Sequence, residues 1–276
     1  MARRLTPAHE GRWAVVTGAS SGIGRAHALE LAGRGFSVVL VGRDATRLDS
    51  AAAELRRRHR VETAVAQVDL TGPDAAERLL GTVGDREIGV LVVVAGKGSP
   101  GEFVDVPLED YLDCVALKVR NNLVVMHAVA RRMRDRGAGA MLVVSSTGGL
   151  QGVPSLSVNS GTEAYLLAVS EALHHELKAH GVRVTGLLPG ATASPGLLAM
   201  LGDRPKPRGV MTVEATAAEG IRALEAGKVT HVAGALNRVV MRAVPRSARI
   251  RLFARMIGGL FEAAGPRVRP RSAQPA

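Results

Sequence analysis

Six short apolar runs, separated by segments long enough for helices, place the strongest constraint on the fold. The runs cover residues 13–17, 37–41, 63–68, 90–95, 141–145 and 183–188. Most of them lack polar alternation, which is typical of strands buried on both faces of a sheet. Helix-length segments such as 25–34 and 45–58 lie between them. This alternation predicts right-handed crossovers and an α/β fold with a doubly wound parallel sheet flanked by helices.

The 276 residues contain no repeat and no low-complexity linker, so we expect one domain over residues 1–264. Residues 191–212 contain three prolines and several glycines, and we interpret them as a lid segment. Residues 236–264 carry apolar residues at helical spacing among arginines and are interrupted by Pro245, which predicts a basic helical extension. Residues 265–276 are expected to be a disordered tail.

The net charge of +11 is concentrated near one end of the chain. Residues 238–271 contain nine arginines and a single acidic residue, Glu262, whereas the rest of the chain is nearly balanced. We therefore expect no nucleic-acid partner. An anionic membrane surface is one interpretation of the basic segment. A helix packed on the domain with its arginines toward solvent is the interpretation we favour.

The cellular compartment is inferred from cysteine use and hydropathy. Cys114 is the only cysteine, so no intramolecular disulfide forms. No apolar run approaches the roughly 18 residues that a membrane span requires. The first arginines are not followed by an apolar stretch, as a secretory signal would require. We expect a cytoplasmic protein.

The first apolar run leads into the octet TGASSGIG, residues 17–24, and then into a predicted helix. Gly18, Gly22 and Gly24 permit a tight turn and let backbone amides approach a pyrophosphate at the start of that helix. A glycine pattern alone is weak evidence, but its place between a strand and a helix fits the mechanism. The octet therefore predicts a dinucleotide site.

This octet resembles the nucleotide loop of the short-chain dehydrogenase/reductase family, and the resemblance continues over residues 12–195. It includes the VDL triplet at 68–70, the LVVVAGKGSPGEF segment at 91–103 and the LPG element at 188–190. The resemblance implies a single-domain Rossmann fold with NADP(H). It assigns the cofactor to Gly18, Ser20, Ser21, Gly22, Ile23, Gly24, Arg43, Asp69, Leu70, Ala95, Gly96, Pro189, Gly190, Thr192 and Ser194.

The choice between the two nicotinamide cofactors is predicted at the end of the second run. An acidic residue at that position accepts hydrogen bonds from a ribose hydroxyl, whereas an arginine can pair with a 2′-phosphate. Gly42 occupies the usual acidic position and Arg43 follows it. NADP(H) is the prediction, and a solvated surface arginine is the alternative.

The family's catalytic positions are largely replaced. In the family a Ser, a Tyr thirteen residues later, a Lys four residues beyond it and an upstream Asn perform proton-coupled hydride transfer. The matching positions here are Ser146, Asn159, Glu163 and Lys118. Tyr165 lies six residues too late to take the Tyr role. The resemblance therefore implies a degenerate catalytic tetrad.

Two interpretations of Lys118 and Glu163 are open. They form either a new acid/base pair beside Ser146 and Asn159, capable of proton transfer without hydride transfer, or a compensatory ion pair in a site that lost its chemistry. His127, His174 and His175 have no second ligand at metal spacing, so no metal site is predicted.

The leading hypothesis is a family member with a diverged site that catalyses an atypical or non-redox reaction on a small hydrophobic substrate, or binds it without turnover. One alternative is an NADP-dependent oxidoreductase with a non-standard proton donor. Another is a non-catalytic partner subunit of an active relative. The resemblance also implies a homodimer or homotetramer built on two long helices, near 108–136 and 158–180.

Overall fold

The computed structural model describes residues 3–94, 96, 98–207 and 209–262. Two of the predictions above, the cofactor residue Ala95 and the tail at 265–276, lie outside the described residues.

Within the described residues, seven strands form one parallel sheet in the order β3-β2-β1-β4-β5-β6-β7. This sheet confirms the predicted α/β fold class. The strand order reverses between β1 and β4, and a crevice opens at such a point beside the carboxyl ends of the strands. The strands are Trp13–Thr17 (β1), Ser37–Gly42 (β2), Thr63–Gln67 (β3), Ile88–Val93 (β4), Gly139–Val144 (β5), Val182–Leu188 (β6) and Thr230–Val232 (β7).

Helices cover both faces of the sheet, because β2, β4 and β5 are apolar on both sides and must be shielded from water. One buried cluster joins the sheet to α4, α6 and α7, and the other joins it to α2, α3 and α9. The helices are Pro7–Glu10 (α1), Gly22–Ala32 (α2), Ala45–His59 (α3), Ala75–Val83 (α4), Leu108–Val115 (α5), Asn122–Arg136 (α6), Ser157–Lys178 (α7), Pro195–Leu201 (α8), Val213–Glu225 (α9), Ala235–Ala243 (α10) and Arg246–Glu262 (α11).

The structure adds three features that the sequence pattern did not predict. The short edge strand β7 is only three residues long and half-buried, so it has no apolar run to reveal it. Residues Ala116–Asn121 between α5 and α6 form a π-helical segment inside an otherwise continuous helix. The segment at 191–212 contains α8, and its two ends are joined where Met211 N donates to Ala191 O and Ala193 N donates to Met211 O.

Candidate nucleotide and substrate site

The turn after β1 is shaped by glycines that no other residue could replace without displacement. A Cβ on Gly24 would lie 2.2 Å from the carbonyl oxygen of Gly18, so α2 can start this close to β1 only with glycine there. Gly18 and Gly22 have φ angles of 65° and 56°, in the left-handed region that favours glycine. The start of α2 is thereby held against the end of β1, where its first amides face an anion site.

A cavity of about 440 Å³ opens at this turn and runs along the carboxyl ends of β1, β2 and β4. Most of the sequence-predicted cofactor residues line it together: Gly18, Ser20, Ser21, Gly22, Ile23, Gly24, Arg43, Asp69, Leu70, Gly96 and Ser194. Thr71, Leu117 and Gly196 also line it and were not predicted, because they belong to no motif. Val94 lines it as well and lies in the segment at 91–103, but it was not assigned to the cofactor.

Arg43 lies on the wall of this cavity, directly after β2. Its side chain is 70% exposed, and its Nη1 is 3.9 Å from a carboxylate oxygen of Asp69. Asp69 also accepts hydrogen bonds from the backbone N–H and the hydroxyl of Thr71. The side chain of Ser20 packs against Gly42, where a Cβ would lie 3.4 Å from Ser20 Oγ. The exposed guanidinium of Arg43, the hydroxyl of Ser20 and the small residue Gly42 therefore lie together at this end of the cavity.

A second cavity, of about 390 Å³, shares Ile23 and Ser194 with the first. The remaining predicted cofactor residues, Pro189, Gly190 and Thr192, line it beside Ser146 and Asn159. Thr192 Oγ1 donates to Gly190 O at 3.2 Å, and Ser194 Oγ accepts from Leu197 N at the start of α8. The two cavities thus form a path from the glycine turn to the region of the four predicted catalytic residues. We call this region, which contains Lys118, Ser146, Asn159 and Glu163, the catalytic corner.

The catalytic corner forms where α7 packs against the turn that follows β5. Ser145 Oγ donates to Glu163 O at 2.8 Å, and a Cβ on Gly149 would lie 2.9 Å from the Glu163 carbonyl carbon. Ser146 Oγ accepts a hydrogen bond from Gly148 N at 3.0 Å. This close packing places Ser146 and Asn159 on the walls of the same cavities.

Lys118 reaches the corner from the π-helical segment on the opposite side. Such segments insert an extra residue into a helical turn and are frequent at functional sites. Asn121, in the same segment, donates two hydrogen bonds, to Leu70 O and Gly72 O, which tie the helix to the loop after β3. Lys118 is only 2% exposed. A Cβ on Gly96 would lie 3.3 Å from Lys118 Cε, so glycine at 96 leaves room for the lysine stem.

The lysine ammonium bridges Asn159 and Glu163, the residues at two of the predicted catalytic positions. Lys118 Nζ lies 2.5 Å from Asn159 Oδ1 and 2.5 Å from Glu163 Oε1. Glu163 is buried, and its Oε2 has no hydrogen-bond partner within the described part of the chain. Because Oδ1 of Asn159 accepts from Lys118, the amide nitrogen of Asn159 faces away from the lysine. The ion pair thereby fixes which end of this amide is available to a ligand.

A third cavity, of about 360 Å³, continues from Ser146 and Asn159 toward the C-terminal helices. Its polar wall is small, since Thr147, Ser160 and Asn237 are the other polar side chains on it. The apolar lining comes from three parts of the chain: Val153 and Leu156 near α7, Leu197 and Pro207 in the lid segment, and Leu236, Val240, Met241, Leu252, Phe253, Met256 and Ile257 in α10 and α11. The sequence pattern did not assign these residues to a site.

Tyr165, His174 and Cys114, which the sequence also offers as candidates, line none of these three cavities. Tyr165 packs against the core, and burial raises the pKa of its phenol. His174 Nδ1 hydrogen-bonds to Val184 O at 2.7 Å, and Cys114 is buried. No group of His, Cys, Asp or Glu in the described ranges is arranged to hold a metal ion.

The open parallel sheet, with a glycine turn and a continuous cavity where the strand order reverses, defines a nucleotide-binding α/β protein of the Rossmann class. A family model described as short chain dehydrogenase matches residues 12–201. The chain belongs to the short-chain dehydrogenase/reductase family.

Three comparisons illustrate its similarity to known members. It is 40% identical over 184 residues to a very-long-chain 3-oxoacyl-CoA reductase of Laccaria bicolor, covering 65% of this chain and 54% of that protein. It is 31% identical over 253 residues to a 7beta-hydroxysteroid dehydrogenase of Clostridium sardiniense, covering 91% and 96%. A short-chain dehydrogenase from Sphingobium yanoikuyae solved in complex with NADPH superposes with a TM-score of 0.74 at 29% identity, covering 96% and 98%.

The chain spans little more than half the length of the 3-oxoacyl-CoA reductases that it matches. None of the helices in the described ranges has the length and apolar character needed to cross a membrane.

Proposed function

We propose that this protein binds NADP(H) together with a small hydrophobic carbonyl compound, and that its site does not carry out the family's proton-coupled hydride transfer at ordinary rates. The contact of Lys118 Nζ with both Asn159 Oδ1 and Glu163 Oε1 carries this proposal. The chemistry would be an atypical or non-redox reaction, or binding without turnover.

The first cavity fits the cofactor. Its glycine turn leaves no room for a Cβ at Gly24, and the NADPH complex of the Sphingobium relative has the same fold. Arg43 would hold the 2′-phosphate, and the amides at the start of α2 would hold the pyrophosphate. Glu163 lines none of the three cavities and is paired with Lys118, so its charge does not exclude the nicotinamide half. When bound, NADPH supplies a hydride.

The third cavity supports the substrate class. Its volume of about 360 Å³ and its largely apolar wall suit a steroid-sized or acyl-chain ligand, and small-molecule sites are commonly apolar with a few polar groups. The named activities of the two relatives above concern a hydroxysteroid and a 3-oxoacyl thioester. We infer a hydrophobic compound whose oxygen lies between Ser146 and Asn159.

The carbonyl oxygen of such a compound would accept hydrogen bonds from the protein, but no residue beside it would protonate it. Ser146 offers its hydroxyl, and Asn159 offers its amide nitrogen because Lys118 occupies the amide oxygen. Neither group releases a proton near neutral pH, and the loss of a positioned acid or base costs about 10²- to 10⁴-fold in rate. The site would therefore polarise a carbonyl and stabilise an oxyanion while leaving its protonation unassisted.

Of the two interpretations of Lys118 and Glu163, burial favours the compensatory one. Neither side chain lines any of the three cavities, and both are almost inaccessible to solvent. An acid/base pair would need to reach the reacting atoms, within about 3 Å or through one water. We therefore assign the pair a positioning role: it orients Asn159 and balances the charge of the corner.

Ligand binding tests the first part of the proposal, the occupation of the site by NADP(H) and a hydrophobic compound. Calorimetric titration should give tighter binding of NADPH than of NADH. Steroid ketones and 3-oxoacyl thioesters should raise the melting temperature of the NADPH complex, and Asn159→Asp, which removes the amide donor, should reduce that increase. Failure of both nucleotides to bind would contradict the proposal.

We also propose a dimer formed by the helix that runs from 108 to 136 and by α7. Leu108, Leu112, Val115 and Leu123 form an exposed apolar stripe along that helix. Light scattering should give at least twice the monomer mass at micromolar concentration, and Leu112→Glu should shift the protein toward monomer. Co-purification with an intact relative instead of a second copy would support the partner-subunit alternative.

A further inference from the structure

Each of the two C-terminal helices, α10 and α11, has one side that lines the third cavity. Leu236, Asn237, Val240 and Met241 of α10 line the third cavity, as do Leu252, Phe253, Met256 and Ile257 of α11. These helices therefore form one wall of the substrate cavity that the proposed function assigns.

This wall is incomplete, because apolar side chains at the mouth of the cavity are exposed to water. Leu236, Leu252 and Met256 line the cavity and are nevertheless 41–54% exposed, and the neighbouring Val239 is 61% exposed. Clusters of exposed apolar side chains are common at protein and membrane interaction sites.

Arginines are concentrated on the two helices that form this wall. No acidic residue occurs between Glu225 and Glu262 in the sequence, whereas six arginines lie in α10 and α11. Arg238 Nη1 donates to Glu219 Oε2 at 2.9 Å, and Arg249 Nη1 donates to Met241 O at 3.0 Å, so these two hold the helices in place. Arg242, Arg246, Arg251 and Arg255 are exposed and form no ion pair with another residue of the described ranges.

We infer that α10 and α11 dock on the surface of an anionic phospholipid bilayer, with the mouth of the cavity facing the lipid. This inference rests on the proposed function only in taking the cavity to hold a hydrophobic ligand. Helices with arginines beside half-exposed apolar side chains bind in the headgroup region through buried apolar area and attraction to anionic lipid. A hydrophobic ligand would then enter the cavity from the bilayer without crossing water.

Charge complementarity selects this occupant over a second copy of the chain. A two-fold interface through α10 and α11 would place the four exposed arginines of one copy against those of the other, with Glu262 at the end of α11 as the single acidic residue on these helices. Nucleic acid would neutralise the arginines but would leave the apolar mouth uncovered.

The test is co-sedimentation of the full chain with vesicles of phosphatidylcholine alone or mixed with phosphatidylglycerol. The wild type should sediment with the anionic vesicles, and less so at high salt. Each basic residue near an anionic surface contributes about fivefold to binding. The variant Arg242→Gln/Arg246→Gln/Arg251→Gln/Arg255→Gln should therefore bind about 10²- to 10³-fold more weakly.

A matched control removes the same charge elsewhere. Arg4, Arg57, Arg78 and Arg222 are exposed on other parts of the molecule, and their simultaneous replacement by Gln should leave most of the binding intact. Equal losses in the two variants, equal sedimentation with neutral vesicles, or no sedimentation would overturn the inference. So would a change in oligomer size of the first variant without vesicles, because a second copy would then be the occupant.

A spectroscopic probe locates the docked surface independently of the arginines. The chain has a single tryptophan, Trp13, so Val239→Trp adds one reporter at the mouth. Its emission should shift to the blue with anionic vesicles, whereas Val104→Trp, on another exposed site, should not shift. A shift confined to the Val104 variant would overturn the inference. Vesicle binding needs neither nucleotide nor turnover, so its failure is separate from failure of the proposed function.

Discussion

The glycine turn at the start of α2 and the catalytic corner at the start of α7 belong to the same family fold. They differ in how closely their residues match those of the family. At the turn, the family's residues are present and their geometry is complete, as the missing space at Gly24 demonstrates. At the corner, Lys118, Asn159 and Glu163 form one hydrogen-bonded set, and we propose that only Ser146 there matches the family's catalytic residues. On this proposal, a cofactor cavity is retained while the proton-transfer residues beside it change.

The largest expected effect comes from removing one partner of the buried ion pair between Lys118 and Glu163. Lys118→Met leaves the buried Glu163 carboxylate unpaired, and loss of one partner of a buried ion pair costs about 3–5 kcal/mol. The double variant Lys118→Met/Glu163→Leu should lose less than Lys118→Met alone, because no unpaired charge remains. Urea denaturation measures the free energy of unfolding. A single variant as stable as the wild type would mean that the pair does not organise the corner.

A smaller effect is expected at the other region, from Arg43. Removing a charged partner of a phosphate should weaken NADPH binding by about 1.5–3 kcal/mol, whereas NADH, without the 2′-phosphate, should bind as before. Calorimetric titration of Arg43→Ala with both nucleotides measures the difference, and Arg57→Ala on α3 is the matched control. Equal weakening of the two nucleotides would remove Arg43 from the 2′-phosphate site.

The smallest expected effect concerns the glycine turn itself. Gly24→Ala forces its Cβ against Gly18 O, so it should destabilise the protein by about 1–3 kcal/mol and weaken NADPH. Gly81→Ala in α4 is the control, because a Cβ there meets no atom within 4 Å. It should be neutral or stabilising by up to about 1 kcal/mol. Similar behaviour of the two variants would mean that the turn tolerates a side chain.

The fold could be predicted because each central strand is an apolar run that must be buried on both faces, and six of the seven were recognised. β7 was missed because Thr230–Val232 is short and half-buried. The cofactor wall could be predicted from the glycines of the turn, from the charge of Arg43 and from the family resemblance. The lining of the third cavity could not, because its apolar side chains come from separate segments and form a site only when the start of α7, the lid segment, α10 and α11 pack together.

The contact between Lys118 and Glu163 was anticipated as one option, but its geometry was not. The π-helical segment that turns Lys118 inward has no sequence signature here, and the orientation of the Asn159 amide depends on it. The sequence therefore predicts which catalytic residues are replaced, and the structure gives the hydrogen bonds that join Lys118, Asn159 and Glu163.

The most direct test of the central claim is a single-turnover measurement of NADPH oxidation with a panel of hydrophobic ketones. The wild type should show almost no hydride transfer. The variant Lys118→Asn/Asn159→Tyr/Glu163→Lys, which restores a phenol beside an ammonium, should be faster by about 10²-fold or more. Reduction by the wild type at ordinary rates, on the order of 1 to 10³ per second, would contradict the account.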